Sequence, residues 1–227
     1  MIAAIRNLRS RRAFLAGGGA LAALSLAGCA TGPRISLTEA IRRLLMLAAD
    51  NAFARLTAPG GFWDRQVTRL DLPEVFDGRG AVLQQILTSV LFKDRLQHAL
   101  NTIAEEGARR AAPVVADTIR MIGYDNALAL VQGGPHAASD YLRANMGPRL
   151  IDVMVPALGD GLRLAEDPLV GQAIAALTGV DVNGVARSLA REVDDAIWGE
   201  IGRQEAEIRA NPEATHDPLL IAVFKAV

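Results

Sequence analysis

Apolar residues recur along this chain at spacings of three and four, and hardly anywhere at two. Leu37, Ile41, Leu44, Leu45, Ala48, Ala52 and Leu56 fall on one face, as an amphipathic helix requires. Ser36-Leu37-Thr38-Glu39 has the form of a capping box, in which the Ser hydroxyl and the Glu carboxylate satisfy reciprocal backbone donors. The helix is therefore expected to start there and to stop at Pro59-Gly60-Gly61. Residues 61–73 break the pattern, with Phe62, Trp63, Val67, Leu70 and Leu72 in a polar background. An extended segment with its aromatics packed across the helices is expected, an exposed Phe62-Trp63 binding lip being the alternative.

A short helix after Pro73 and a strongly apolar one carrying Val82, Leu83, Ile86, Leu87, Val90 and Leu91 come next. Asp94 is placed to cap a further helix with Leu96, Leu100, Ile103 and Ala104 inward, and Pro113 marks the boundary before another, from Val114 to Met121. Asp125 reads as the N-cap of a brief helix ending at Gly133-Gly134, and Pro135 suits the first turn of its successor. Tyr141, Leu142, Met146, Leu150, Val153 and Met154 carry the pattern across Gly147-Pro148 towards Pro156. Asp167-Pro168 and Asp181 begin further helices. The last long one shows Val182, Val185, Ala186, Leu189, Val193, Ala196, Ile197, Ile201 and Ile208 in one stripe. Asn211-Pro212 and Asp217-Pro218 are caps followed by proline, and residues 219–227 form a small terminal helix. With no useful β-alternation and no fixed-period repeat, the expected fold is all-α, an irregular single-domain helical bundle of about seven to nine helices.

The apolar run nearest the N-terminus is of another kind. Residues 14–28 follow Arg6, Arg9, Arg11 and Arg12, with no acid among them, and are too short to span a bilayer. Residues 1–28 therefore read as a signal peptide. Arg11-Arg12, with Phe14-Leu15 and the softening Gly17-Gly18-Gly19 behind them, resemble a twin-arginine export signal, Sec export being the alternative. Leu26-Ala27-Gly28-Cys29 matches the bacterial lipobox, so the Cys29 thiol is the expected lipid-attachment point and residues 29–35 a lipidated tether. Each buried methylene contributes about 0.8 kcal/mol to such an anchor. Ala30 stands where an Asp would argue for inner-membrane retention, so the expected location is the periplasmic face of the outer membrane.

Residues 36–227 are then one helical domain of ordinary size, able to form a core without metal or disulfide. Once four of the 24 basic residues leave with the leader, 20 remain against 25 acids, and no nucleic acid or anionic lipid face is implied. Ten aromatics among 227 residues, in a chain that is 51% hydrophobic, favour close helix packing over a β-sandwich.

Several stretches together carry a resemblance. They are Phe62 with Leu72-Pro73, Asn101 with Ala104-Glu105, Pro113, and the block from Asp125 to Gly133-Gly134 with Ala137-Ala138 and Tyr141. The last is Glu207-Ile208-Arg209-Ala210-Asn211-Pro212 with Leu219-Leu220 and Val223-Phe224. Over roughly residues 37–226 the chain resembles the bacterial family catalogued as domain of unknown function 4197. The resemblance implies a helical, exported envelope protein and brings no activity and no assigned ligand residues. Gly107 stands where that family more typically has an Ala-rich run.

Catalytic signatures are sparse. There is no Gly-x-Ser-x-Gly elbow, no phosphate loop and no His-Glu-x-x-His. His98, His136 and His216 are far apart, so no metal and no cofactor are expected. Asp181, Asn183 and Glu192 have the ends of a calcium loop, but Val185 and Ala186 stand where a ligand and the turn glycine belong. Glu105-Glu106 and Asp194-Asp195 diverge by about 100° around a helix, and a solvated face is expected for each pair. Asn101, Glu105 and Arg109 form an i, i+4 row, a polar ligand site if it faces a cleft and a minor surface ion pair if it faces water. The Gly133-Gly134-Pro135-His136 turn offers backbone N–H groups for an anion at a helix start, a plain helix connection being the alternative. The function expected first is lipid-anchored binding or scaffolding without catalysis, with an envelope protein as partner. The second is a carrier or chaperone of an apolar ligand in the periplasm, and the third an enzyme with an unfamiliar site.

Overall fold

Ser36 opens the first helix, as its capping pattern predicts: the hydroxyl accepts a hydrogen bond from Glu39 N at 3.2 Å. The other half of the box is not made, because the Glu39 carboxylate turns outward to Arg42 and Arg43, 2.9 and 3.0 Å away. Both guanidiniums follow one turn on, where a charged acceptor gains more from a cation than from a solvated N–H. The computed structural model describes residues 36–64, 69–70, 90–164, 168, 171 and 182–226. The expected leader, lipobox and tether, with Arg11, Arg12 and Cys29, lie outside the described residues. So do the expected short helix after Pro73, residues 82–89, Asp167 and Asp181.

Among the described residues there are seven α-helices and one 3-10 turn, and no strand. They are α1 (Leu37–Leu56), α2 (Val90–Met121), α3 (Ala127–Gln132), α4 (Ala137–Met146), α5 (Arg149–Leu164), α6 (Val182–Ala210), the 3-10 turn Pro212–Thr215, and α7 (Pro218–Phe224). The all-α expectation holds. The four long helices close a ring, α1 on α2, α2 on α5, α5 on α6 and α6 back on α1, while α3, α4 and α7 pack around its rim. Ile41, Leu44, Leu100, Ala104, Met154, Leu158, Ile197 and Ile201 are fully buried in the middle, each drawn from the three-and-four stripe of its helix.

Two expected boundaries are absent. Pro113 does not separate two helices and Asp94 does not start one, since both lie inside the 32-residue α2. Pro156 likewise sits inside α5. A proline inside a helix removes one N–H and costs about 3 kcal/mol in isolation. Here both prolines are exposed, so the carbonyl each leaves unpaired can reach water. Ala111 and Val115 on either side of the first, and Met154 and Leu158 around the second, are buried and hold the axis. Val153 and Leu91, expected inward, are exposed.

Smaller corrections concern caps. α3 is led by Asn126 rather than Asp125, with no side-chain bond, because Ala127 N turns back to Tyr124 O at 3.2 Å. α4 starts at Ala137, leaving Pro135 in the preceding turn. Asp217 caps α7 as expected, its carboxylate accepting from Leu219 N at 2.8 Å and Leu220 N at 3.2 Å.

Gly107 acquires a packing reason. A Cβ built there would lie 2.8 Å from Leu158 Cδ2, so the bare backbone lets α2 and α5 approach closely at their crossing.

Candidate functional site

The row Asn101, Glu105 and Arg109 does not line a cleft; Asn101 and Glu105 are buried and only Arg109 reaches water. It faces the loop after α1 and holds it. Asn101 is fully buried; its Oδ1 accepts from Leu70 N at 2.9 Å and its Nδ2 donates to Leu70 O at 3.1 Å and Gln97 O at 2.7 Å. The Glu105 carboxylate accepts from Gly60 N at 2.9 Å, and Arg109 donates to Thr57 O at 3.1 Å while pairing with Glu105 at 3.6 Å. A Cβ on Gly61 would fall 2.3 Å from Arg55 O, so glycine is required where the loop folds back on α1. Phe62 is fully buried beneath it, while half-buried Trp63 lies edge-on to His98 at 4.7 Å and under the Arg69 guanidinium at 4.1 Å.

The expected anion site at Gly133 and Gly134 is filled from within the chain. The free N–H groups belong to Ala138 and Ser139 at the start of α4, and both point at the carboxylate of Glu205 on α6, 3.0 and 2.7 Å away. Glu205 is fully buried and paired with Arg209 at 2.7 Å. Arg209 in turn donates to Leu130 O and Val131 O at the end of α3, at 2.8 and 3.0 Å, and its guanidinium lies 4.8 Å from the Phe224 ring centre. One ion pair thus serves two helix ends, the anion at an N-terminus and the cation at a C-terminus, as the helix dipole favours.

The acid pairs are not wholly solvated. Glu105 and Asp194 are buried, whereas Glu106 and Asp195 face water. The 100° divergence that separates neighbours puts one member of each pair on the packing face. Burial raises the Glu105 carboxyl above its ordinary value, although the Gly60 N–H and Arg109 pull it down. Asp194 is raised for the same reason, against Arg143 at 3.0 Å and the Trp198 Nε1–H at 3.0 Å. A carboxyl raised in the folded state binds its proton more tightly there than in the unfolded chain, so stability grows as pH falls through the folded value and declines as pH rises. Thermal melts of the wild type and Asp194→Asn are therefore expected to diverge on acidification just above the ordinary 3.8. The wild type gains relative to the variant; parallel pH profiles would show that Asp194 is not raised.

A further site lies where α1 meets α6. The two helices run antiparallel: Arg55 at the end of α1 pairs with Glu200 inside α6 at 3.4 Å, while Arg43 near the start of α1 pairs at 3.0 Å with Asp217, which follows the C-terminal end of α6. Between them runs a groove of about 590 Å³, open to solvent, with Leu47, Asn51 and Arg55 on one wall, Gln204, Glu207 and Ile208 on the other, and Asn211, Ala214 and Thr215 closing one end. At the charged end the buried Glu200 carboxylate is shared. Arg203 holds it through Nε at 2.9 Å and through Nη2, Gln204 Nε2 approaches to 3.4 Å, and Arg55 reaches it only at 3.4 Å. Glu207 is engaged by Arg203 and by Gln204, the latter at 3.0 Å. The side chains of Asn51 and Asn211 make no hydrogen bond among the described residues.

Sequence reading missed this groove. Its signal was a polar strip beside each apolar stripe, Asn51 and Arg55 at i, i+4 on α1 and Gln204 and Glu207 at i, i+3 on α6, with Asn211 just past its end. Which two strips meet is decided only by the crossing of the helices. A second open concavity of about 500 Å³ lies at Asp140, Arg143, Gly147 and Asp194, where Arg143 is already held by Asp194 and Asp195. Among the described residues no three metal-binding side chains converge and no helix is long and apolar enough to cross a membrane.

The family model described as Protein of unknown function (DUF4197) matches residues 34–225. No curated protein and no solved structure matches the chain.

Proposed function

That the chain belongs to the DUF4197 family of proteins of unknown function is the premise from which we propose its role: a non-catalytic binding protein of the bacterial envelope. It is held to a membrane, on the periplasmic face of the outer membrane, by lipid on Cys29, and meets its ligand or partner in the groove between α1 and α6. The observation that carries the reading is the division of labour among polar side chains. The buried acids Glu105, Glu200 and Glu205 are committed to backbone N–H groups and guanidiniums inside the fold, and acids so engaged are poorly placed to exchange protons with a substrate. Asn51 and Asn211, by contrast, line a groove of ligand size with donors and acceptors that the fold does not use. Export through Arg11 and Arg12 and anchoring through Cys29 rest on the leader alone.

The experiment is photo-crosslinking of the full chain in its own host, with benzoylphenylalanine in place of Asn51, Asn211 or, as control, the exposed Asp117 on α2. The same sample is analysed by mass spectrometry for a diacylglyceryl mass on Cys29. Adducts confined to positions 51 and 211 in a lipid-bearing envelope protein are expected. Adducts equal at position 117, or none at 51 and 211, overturn the groove; a mature chain without lipid overturns the anchor.

A further inference from the structure

Resting on that reading of the groove, we infer its ligand class: a carboxylate followed by a secondary amide and then an apolar chain, as in an N-acyl amino acid or the C-terminal end of a peptide. Arg55, Asn51 and Leu47 are spaced at four along α1, so they stack in one row about 6 Å apart and about 12 Å long. On the opposite wall Gln204 stands at the charged end, Ile208 follows, and Asn211 closes the far end. Along α1 a cation, an amide and an apolar group thus follow one another, with Ile208 adding to the apolar end of a single open channel.

The charged end selects an anion because of how Glu200 is shared. Two guanidiniums meet one buried carboxylate, and Arg203 takes it at closer range, leaving Arg55 with one long bond of 3.4 Å. Guanidinium carries five N–H donors in a fork that fits a carboxylate. The other acid of the groove, Glu207, is drawn towards Arg203 and Gln204, so it does not satisfy Arg55. Asn51 presents both an amide donor and an acceptor, the complement of a secondary amide. Beyond it, Leu47 and Ile208 offer apolar surface. A simple fatty acid would leave Asn51 unused, and a neutral peptide segment would leave Arg55 unused.

The test is isothermal titration of the mature protein, purified from its host in mild detergent, with N-hexanoylglycine, its primary amide, decanoate, and the tripeptide acetyl-Leu-Ala-Gly with a free C-terminus. Saturable 1:1 binding of N-hexanoylglycine is expected, at least tenfold weaker for its amide and for decanoate. Arg55→Gln is expected to weaken it at least tenfold and Arg55→Lys less, since the fork and not the charge alone is used. Comparable binding of the tripeptide assigns the site to peptide ends, and its failure assigns it to free acylated amino acids. Arg55→Gln leaves Glu200 with Arg203 and Gln204, so the fold should survive, and circular dichroism melts verify it. Asn51→Leu provides a second test that leaves the ion pairs alone. If the amide probe binds as well as the acid and Asn51→Leu still abolishes binding, the ligand class is overturned while the groove stands. If neither Arg55→Gln nor Asn51→Leu changes the titration, or no probe binds, both fail.

Discussion

Glu205→Gln is expected to destabilise the protein by about 3–5 kcal/mol, the usual consequence of removing one partner of a buried ion pair. The Glu205 side chain is fully buried and that of Arg209 is 11% exposed, so the guanidinium cannot recover its lost partner from water. Two further donors, Ala138 N and Ser139 N, lose a charged acceptor at the same time. A glutamine keeps one acceptor oxygen but brings an NH₂ group against either a backbone N–H or Arg209. Urea unfolding of the wild type, Glu205→Gln, Arg209→Met and the double variant measures it. The two changes together should cost clearly less than the sum of the singles, because the double variant buries no unpaired charge. An additive cycle, or a single-site loss below about 1 kcal/mol, would mean that the pair does not join the helix ends as described.

The second large effect is expected at Asn101. Asn101→Ala should cost about 2 kcal/mol, since it strips the buried Leu70 N–H of its acceptor, while Leu70 O keeps the Gln97 Nε2 donor at 2.7 Å, and a buried polar group left unmet costs about 1–3 kcal/mol. The loss should be local before it is global. Hydrogen exchange at Gly60 and Leu70 should accelerate well ahead of that at Leu100 and Ala104 in the middle of α2, because the loop is tied down by this row and by Phe62. Asn101→Asp tests the account differently: it keeps the acceptor for Leu70 N but cannot donate to Leu70 O or Gln97 O. A variant as stable as the wild type would show that those two bonds contribute nothing.

How much of this was legible in advance differs by element. α1 and α6 were readable almost to their ends because a stripe such as Ile41, Leu44, Leu45, Ala48, Ala52 and Leu56 is buried in full and carries its period openly. α2 was divided too finely, because Pro113 and Asp94 are strong local stop and start signals whose cost is outweighed by apolar burial on both sides. That balance involves residues of α5 and α1 that no local window contains. The candidate row Asn101, Glu105 and Arg109 was rightly seen as one face, and its target was missed because the loop it binds, Thr57 to Leu70, carries no pattern that points back to α2. At Gly133-Gly134 an anion site was foreseeable from the turn, whereas the anion, Glu205, comes from 67 residues beyond Ala138.

By itself the sequence determined the helical period, the faces to be buried, the caps at Ser36 and Asp217, and membership of a family with no assigned activity, for these depend on neighbours within a few turns. The tertiary structure alone decided which polar residues are spent on the fold and which are left over. Glu105, Glu200 and Glu205 look in sequence like any helical surface acid, as Asn51 and Asn211 look like ordinary polar positions. Whether such a group is buried, paired or free follows from which helix crosses it. That crossing is set by packing between residues far apart in the chain, and it is what leaves the groove between α1 and α6 with unused hydrogen-bonding groups.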